Sequence, residues 1–389
     1  MGVTAMKKMA WEIPSFTIEE KMRRHKAIRE LMAFRKIGCL VIPGTHSNYG
    51  AGRANIRYVS NYAQWYDDEY ITFPLEGEPL LFAWSSAHYD WATRVSWIPV
   101  KLSSERDYIK DIPDEIKRLG LETKTLGIVD MRIMPAFTFK GLIKELPHAT
   151  FIDATDILLT LRLVKSPKEL EFVRKAGEIA DIGFKAMLEA AEVKASDRDV
   201  WTACESALIR AGAEPPSFTL YCSGPWPEKG VGFIYGPMDR RLQKGDIVFN
   251  EITPCYGGYW IQLCRAIVLG EPSDDFKRTY DVQVEVYKLA EEELRQGNTV
   301  FELEKKAQDL AAKKGYLLKI TLQHMGLQIT ERIPANTIFR PGMYFVNHPW
   351  TEYPMDTREV GGHIIGDTLI VTDNVPEHLS KIPFQLFRK

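Results

Sequence analysis

Residues 242–272 read LQKGDIVFNEITPCYGGYWIQLCRAIVLGEP. Two strand-like runs stand inside this stretch, GDIVFNEITP and GYWIQLCRAIVLG, and polar residues break both. A buried strand is expected to be apolar throughout or to alternate cleanly. Asn250 and Glu251 interrupt the first run and Gln262 the second. The pattern recurs downstream. His348 closes the run YFVNHPW, and Gly366 stands where HIIGDTLIV should carry a side chain. A buried polar group needs partners and a reason. Taken singly, each fits a satisfied core group or a strand-end turn; taken together they point to a shared polar pocket.

The flanking sequence supplies helices. In LRLVKSPKELEFVRKAGEIADIGFKAMLEAA, residues 161–191, Ser166 is an N-cap, Pro167 the first helical residue and Glu169 the return of a capping box. Leu170, Val173, Ala176, Ile179, Ile182 and Ala186 keep helical spacing. Similar starts follow at Ser196 and Thr299, and a further helix runs from about Asp274 until Gly297 stops it. Strand-rich and helix-rich stretches in one region imply an α+β domain over 159–389. Upstream, Thr17 and Glu20 open a helix carrying Ile18, Met22, Ile28, Leu31 and Met32, and GCLVIPG reads as a buried strand. EYITFPL, GEPLLFAW and the polar helix IKDIPDEIKRLG continue an α/β domain over 1–158.

The composition excludes several classes. With 45% hydrophobic and 26% charged residues, the 389-residue chain has ample core for a folded protein. Its 50 basic and 52 acidic residues leave a net charge of −2, so no bulk basic field attracts nucleic acid or an anionic membrane. The five cysteines form no Cys-x-x-Cys pair, which suggests neither a disulfide framework nor a cysteine zinc site, and points to the cytoplasm. The first residues lack a signal-peptide apolar core, and Met6 breaks the myristoylation pattern after Gly2. No apolar run reaches the ~18 residues of a membrane span.

In order along the chain, residues 161–181, 242–272, HMGLQITERIP, RPGMYFVNHPW and EVGGHIIGDTLIVTDN resemble the creatinase, aminopeptidase P and prolidase family, with its pita-bread domain. NIRYVSNY resembles a stretch of that family's N-terminal domain. The resemblance spans nearly the whole chain and implies a homodimer acting on a small molecule. The family's peptidases hold a pair of metal ions with Asp, Asp, His, Glu and Glu. Carried over one by one, these positions fall on Glu251, Gln262, Gln323, His348 and Gly366, with His324 beside Gln323. Two divalent cations in one site need bridging carboxylates to offset their repulsion. With one carboxylate left, a dinuclear peptidase site is not expected, and neither metal nor other cofactor is implied. A single metal on Glu251, His324 and His348 is the alternative. Creatinase itself resembles this case: it keeps the fold without the ligands and cleaves a C–N bond using a His on the loop before the Gly-Asp strand. Here that loop, residues 222–246, holds no His, and Ile234 falls at the position.

The candidate catalytic residues are therefore Glu251, His348 and His324. Burial would raise the Glu251 pKa toward that of a working base, unless the carboxylate is paired with Arg265. Candidate substrate contacts are Arg265, which resembles the family's retained arginine, with Gln262, Tyr259, Trp260, Tyr235 and Trp350. Cys264, alone inside a strand, reads as an inert core thiol. The aromatic residues, with Trp65, Tyr66, Asp67, Asp68 and Glu69 upstream, suit either a cationic ligand or ordinary packing. The leading expectation is a metal-independent, creatinase-type enzyme cleaving a C–N or similar bond. The alternatives are a metallohydrolase of Xaa-Pro dipeptides with a rebuilt site, and a binding protein without catalysis.

Overall fold

The computed structural model describes residues 14–45, 47–62, 69–103, 107–226, 236–352 and 361–389. It contains two compact units, dividing between Leu163 and Val164. The first holds helices α1 (Ile18–Phe34), α2 (Ser47–Ser60), α3 (Ser86–Val95), α4 (Tyr108–Arg118), α5 (Ala136–Glu145) and α6 (Thr155–Leu163). Its strands are β1 (Cys39–Pro43), β2 (Tyr70–Pro74), β3 (Leu80–Ala83), β4 (Val100–Leu102), β5 (Thr125–Ile128) and β6 (Thr150–Asp153). They form one mixed sheet in the order β4-β3-β2-β1-β5-β6, with β1 antiparallel to β2 and parallel to β5. Every residue of β1 and β2 is buried, which is why GCLVIPG reads as a continuous apolar run. Residue 158 lies inside α6, and the first unit closes with that helix.

α1 corrects one detail. Thr17 stands at its N-cap, but the hydroxyl makes no capping bond. Glu20 turns instead to Arg23 and Arg24 at 2.6 and 2.8 Å. Arg24 is buried between the rings of Phe16 and Tyr58, 4.5 and 4.4 Å from their centres, and draws the carboxylate to it. Ile28 and Met32 face the core as expected, whereas Ile18 and Met22 are exposed.

The second unit opens with α7 (Pro167–Ala190), where both bonds of the Ser166–Glu169 capping box form. α8 (Asp197–Arg210), α9 (Asp274–Glu293) and α10 (Val300–Lys313) begin at Ser196, Ser273 and Thr299, each hydroxyl accepting a first-turn N–H. The longer strands are β7 (Leu220–Pro225), β8 (Asp246–Glu251), β13 (Leu317–His324), β14 (Tyr344–Glu352) and β16 (Ile365–Ile370). Short ones are β9 (Cys255–Tyr256), β10 (Tyr259–Trp260), β11 (Cys264–Arg265), β12 (Ile267–Val268), β15 (Gly361–His363), β17 (Glu377–His378) and β18 (Phe387–Arg388). One sheet runs β11-β16-β14-β13, with β15 on β14 and β17 on β16; another runs β18-β12-β8-β7. Between β8 and β11 lies the β9–β10 hairpin, turned by Gly257 and Gly258 at φ 58° and 87°. Two successive residues at positive φ are what a two-residue hairpin turn matching strand twist requires. α9 covers the back of β14, where Asn347 Nδ2 donates to Tyr287 O at 2.9 Å and Gln283 Nε2 to Thr351 Oγ1 at 3.0 Å. This is the mixed helix-and-sheet layout of an α+β unit.

Candidate active site

Side chains alternate faces along a strand, and cross-strand partners share one. Cys264 pairs with Gly366, Arg265 with Ile365, and Asn347 with Asp367. The polar interruptions therefore separate into two sets. Asn250, Arg265, Asn347 and Asp367 serve the back. Glu251, Gln262, Cys264, His348, Gly366 and Thr368 gather at the front.

The back set is structural. Asn250 Nδ2 donates to Arg265 O at 2.6 Å, and Arg265 N donates to Asn250 Oδ1 at 3.2 Å, tying β8 to β11. Arg265 Nη2 donates to both Asp367 oxygens at 2.8 and 2.9 Å. Nη1 donates to Cys264 O and Gly366 O at 2.8 and 2.9 Å, and Nε to Pro383 O at 3.2 Å. Arg265 is 1% exposed. Arg265 thus orients a carboxylate of the protein, and that carboxylate is Asp367, not Glu251.

At the front, Glu251 ends β8 and is 8% exposed. Burial pushes its carboxyl from 4.5 up to about 7, and a hydrogen bond from Gln262 partly offsets the rise. Gln262 is held through its backbone: its N–H donates to Thr368 Oγ1 at 2.8 Å, and that hydroxyl donates back to Gln262 O at 2.9 Å. Its amide Nε2 lies 3.4 Å from His348 Nδ1 and 3.7 Å from Cys264 Sγ. Burial, with Glu251 nearby, pushes the Cys264 thiol well above its usual range, which keeps it an inert thiol.

His348 owes its position to an irregularity in β14. Leu322 pairs with Asn347 and Ile320 with Trp350, so β14 carries one extra residue at His348–Pro349. Proline gives no N–H to a ladder, and a bulge of this kind re-aims a side chain. The side chain starts beside Gly366. A Cβ at 366 would stand 2.6 Å from His348 Cβ and 3.1 Å from Asn347 O, so β14 and β16 approach this closely only because position 366 is glycine.

His324 does not join Glu251 and His348. Its Nε2 lies 3.0 Å from Lys165 Nζ, and its Nδ1 3.2 Å from Glu331 Oε2. Lys165 also donates to Met325 O at 2.9 Å and sits 4.5 Å from the centre of the Tyr344 ring. His324 pairs with Phe345, three residues before His348, which is roughly 10 Å of strand. It belongs to a separate buried charge cluster, and the triad expected of Glu251, His324 and His348 is not assembled. Gln323 turns its amide to Ile329 O and Thr330 Oγ1 at 3.0 and 2.7 Å.

The aromatic candidates among the described residues are mostly framework. Tyr259 OH donates to Glu169 Oε1 at 2.5 Å, joining the hairpin to the capping box of α7. Trp260 is buried, and its carbonyl accepts from Tyr344 OH at 2.9 Å. Trp350 stands half-buried in β14. Tyr235, with Trp65, Tyr66, Asp67 and Asp68, lies outside the described residues. Thr368, Asp367 and Lys165 were not singled out from the sequence. The charge of Asp367 inside the apolar run HIIGDTLIV was the available signal for one of them.

The arrangement defines a class: an N-terminal α/β unit followed by a pita-bread unit with a polar cluster across its facing strands. Residues 171–373 match Metallopeptidase family M24, and residues 24–164 match the Creatinase/Prolidase N-terminal domain. The chain belongs to the M24 family, in its creatinase and prolidase branch of hydrolases. It is 29% identical over 328 residues to an Xaa-Pro dipeptidase of Pyrococcus horikoshii, covering 80% of this chain and 89% of that one. It is 24% identical to a creatinase of a Bacillus species, covering 95% and 93%. The crystal structure of a prolidase from Pyrococcus horikoshii superposes with a TM-score of 0.79 at 26% identity, covering 94% of this chain and all of that one.

The residues present do not fit the metal pair of the family's peptidases. The five positions carry one carboxylate, two neutral amides, one imidazole and no side chain at all. The Gln323 amide is already bonded to Ile329 and Thr330. Among the described residues, no three His, Cys, Asp or Glu side chains are grouped so as to hold a metal ion. Among the same residues, no helix is long and apolar enough to cross a membrane.

Proposed function

We propose that this chain is a hydrolase of small polar molecules that works by acid–base catalysis at Glu251 and His348, without the family's metal pair. The observation that carries this reading is the joining of two titratable groups through one amide. Gln262 bonds the Glu251 carboxyl and approaches His348 Nδ1 at 3.4 Å. A carboxyl with a pKa of about 7 is suited both to take and to give a proton near neutral pH. Glu251 as carboxylate takes a proton from water, the water oxygen bonds to the substrate carbon, and the C–N bond breaks. The proton held on Glu251 passes to the departing nitrogen, which restores the carboxylate. His348 binds the reacting group across from it. A cationic substrate suits this site, because its charge favours the ionised form that the buried carboxyl otherwise resists.

The relative named Xaa-Pro dipeptidase favours a second reading, metal-assisted hydrolysis of such dipeptides. Assays of the purified chain separate the two. Xaa-Pro dipeptides and a panel of guanidino and ammonium compounds are tested with and without chelator. Turnover that survives chelator and falls by roughly 10²–10⁴-fold in His348→Ala supports the acid–base reading. Turnover that disappears in chelator and returns with added metal supports the dipeptidase reading. Full activity in His348→Ala removes His348 from the mechanism.

A further inference from the structure

The Gln262 amide stands close to one ring nitrogen of His348. Gln262 Nε2 lies 3.4 Å from His348 Nδ1 and 3.7 Å from Cys264 Sγ, while the same side chain is bonded to the Glu251 carboxyl. The residue is held between β10 and β11 by the Thr368 hydroxyl, which closes on both its N–H and its C=O. An amide nitrogen offers two hydrogens, its oxygen only lone pairs, and an ionised carboxylate only accepts. With Nε2 turned toward His348 Nδ1 and Cys264 Sγ, its two hydrogens face the ring and the thiol. A ring nitrogen that receives a hydrogen bond has to be the unprotonated one.

We infer that Gln262 is a positioning residue that fixes His348 as its Nε2–H tautomer, so that the ring offers a proton donor rather than a base at that nitrogen. This rests on the reading of His348 as a working residue and specifies its part. A neutral Nε2–H imidazole polarises a substrate oxygen or nitrogen by donating a hydrogen bond, while Glu251 moves the proton. It also gives a chemical reason for an amide at 262. A carboxylate there would pull the ring proton to Nδ1.

Nitrogen NMR of the full chain labelled at its eight histidines tests this without substrate. The His348 signals are identified by their loss in His348→Ala, at a pH where the ring is neutral. The expected result is a protonated, pyrrole-type Nε2 and a pyridine-type Nδ1. In Gln262→Glu the proton is expected to move to Nδ1, and in Gln262→Leu the preference is lost, with the other histidine signals in place as evidence of folding. An Nδ1–H form in the unaltered chain overturns the inference even if neither variant folds. So does an Nε2–H form that persists in a folded Gln262→Glu. The expected tautomer together with full turnover in His348→Ala would sink the functional reading and leave the tautomer assignment standing; the reverse would sink the assignment alone.

Discussion

A carboxyl group buried beside an amide keeps its proton far above the pH at which one in water releases it, because an amide offsets only part of the lost hydration. Glu251 is such a group, and its shift has a consequence for stability. The folded chain holds the Glu251 proton up to about 7, whereas the ordinary value is 4.5. Between those values the folded state binds more protons than the unfolded one, so stability falls as pH rises through that window and levels off above it. The full loss corresponds to roughly 3 kcal/mol. Glu251→Gln has nothing to ionise. Urea denaturation of both proteins at pH 5 and pH 8 should show the unaltered chain losing more stability on the way up, by roughly 1–3 kcal/mol. Equal losses would place the Glu251 pKa near its ordinary value and remove its claim to act as a base.

The strands of the second unit assign their polar residues by face, and sequence pattern reports faces far better than partners. Buried runs, N-caps and the Ser166–Glu169 box were legible because each depends on neighbours within a few residues. The partner of Arg265 was not, since Asp367 lies 102 residues away and only the pairing of β11 with β16 brings the two together. The partners of His324 were hidden for the same reason: Lys165, whose Nζ lies 3.0 Å from its ring, is 159 residues distant. Thr17 and Glu20 have the spacing of a capping box, but buried Arg24 competes for the carboxylate. The Arg265–Asp367 pair is an anchor between β11 and β16, with 1% and 2% side-chain exposure. Removing one member of a buried pair leaves an uncompensated charge, at a cost of roughly 3–5 kcal/mol. Asp367→Asn should therefore lower the urea midpoint sharply. Burial and the Gln262 amide, not Asp367, set the Glu251 shift, so the pH window described above should stay where it is. A loss below roughly 1 kcal/mol would mean that the guanidinium finds water or another acceptor.

The order of segments along the chain is that of the family, yet fold and chemistry separate within it. The sheets, hairpin and covering helices of the pita-bread unit are retained, while the positions at which the sequence resemblance would place the peptidases' metal ligands carry Glu251, Gln262, Gln323, His348 and Gly366. Four of these residues are linked in the structure. Gly366 leaves room for His348, Gln262 reaches both His348 and Glu251, and a lone carboxylate accepts burial by keeping its proton. On the acid–base reading proposed above, that arrangement works without a cation, since a dication would have to expel the Glu251 proton and then be held by a single anion. Elemental analysis of the untagged protein should accordingly find transition metal far below one ion per chain. Manganese, cobalt or zinc at millimolar concentration should leave its melting temperature unchanged. The second measurement does not depend on knowing the substrate. A metal present at 100 times its dissociation constant would add roughly 2.7 kcal/mol and raise the transition by several degrees. A shift of that size that disappears in His348→Ala would return His348 to the role of a ligand, and the acid–base reading would give way to metal-assisted hydrolysis.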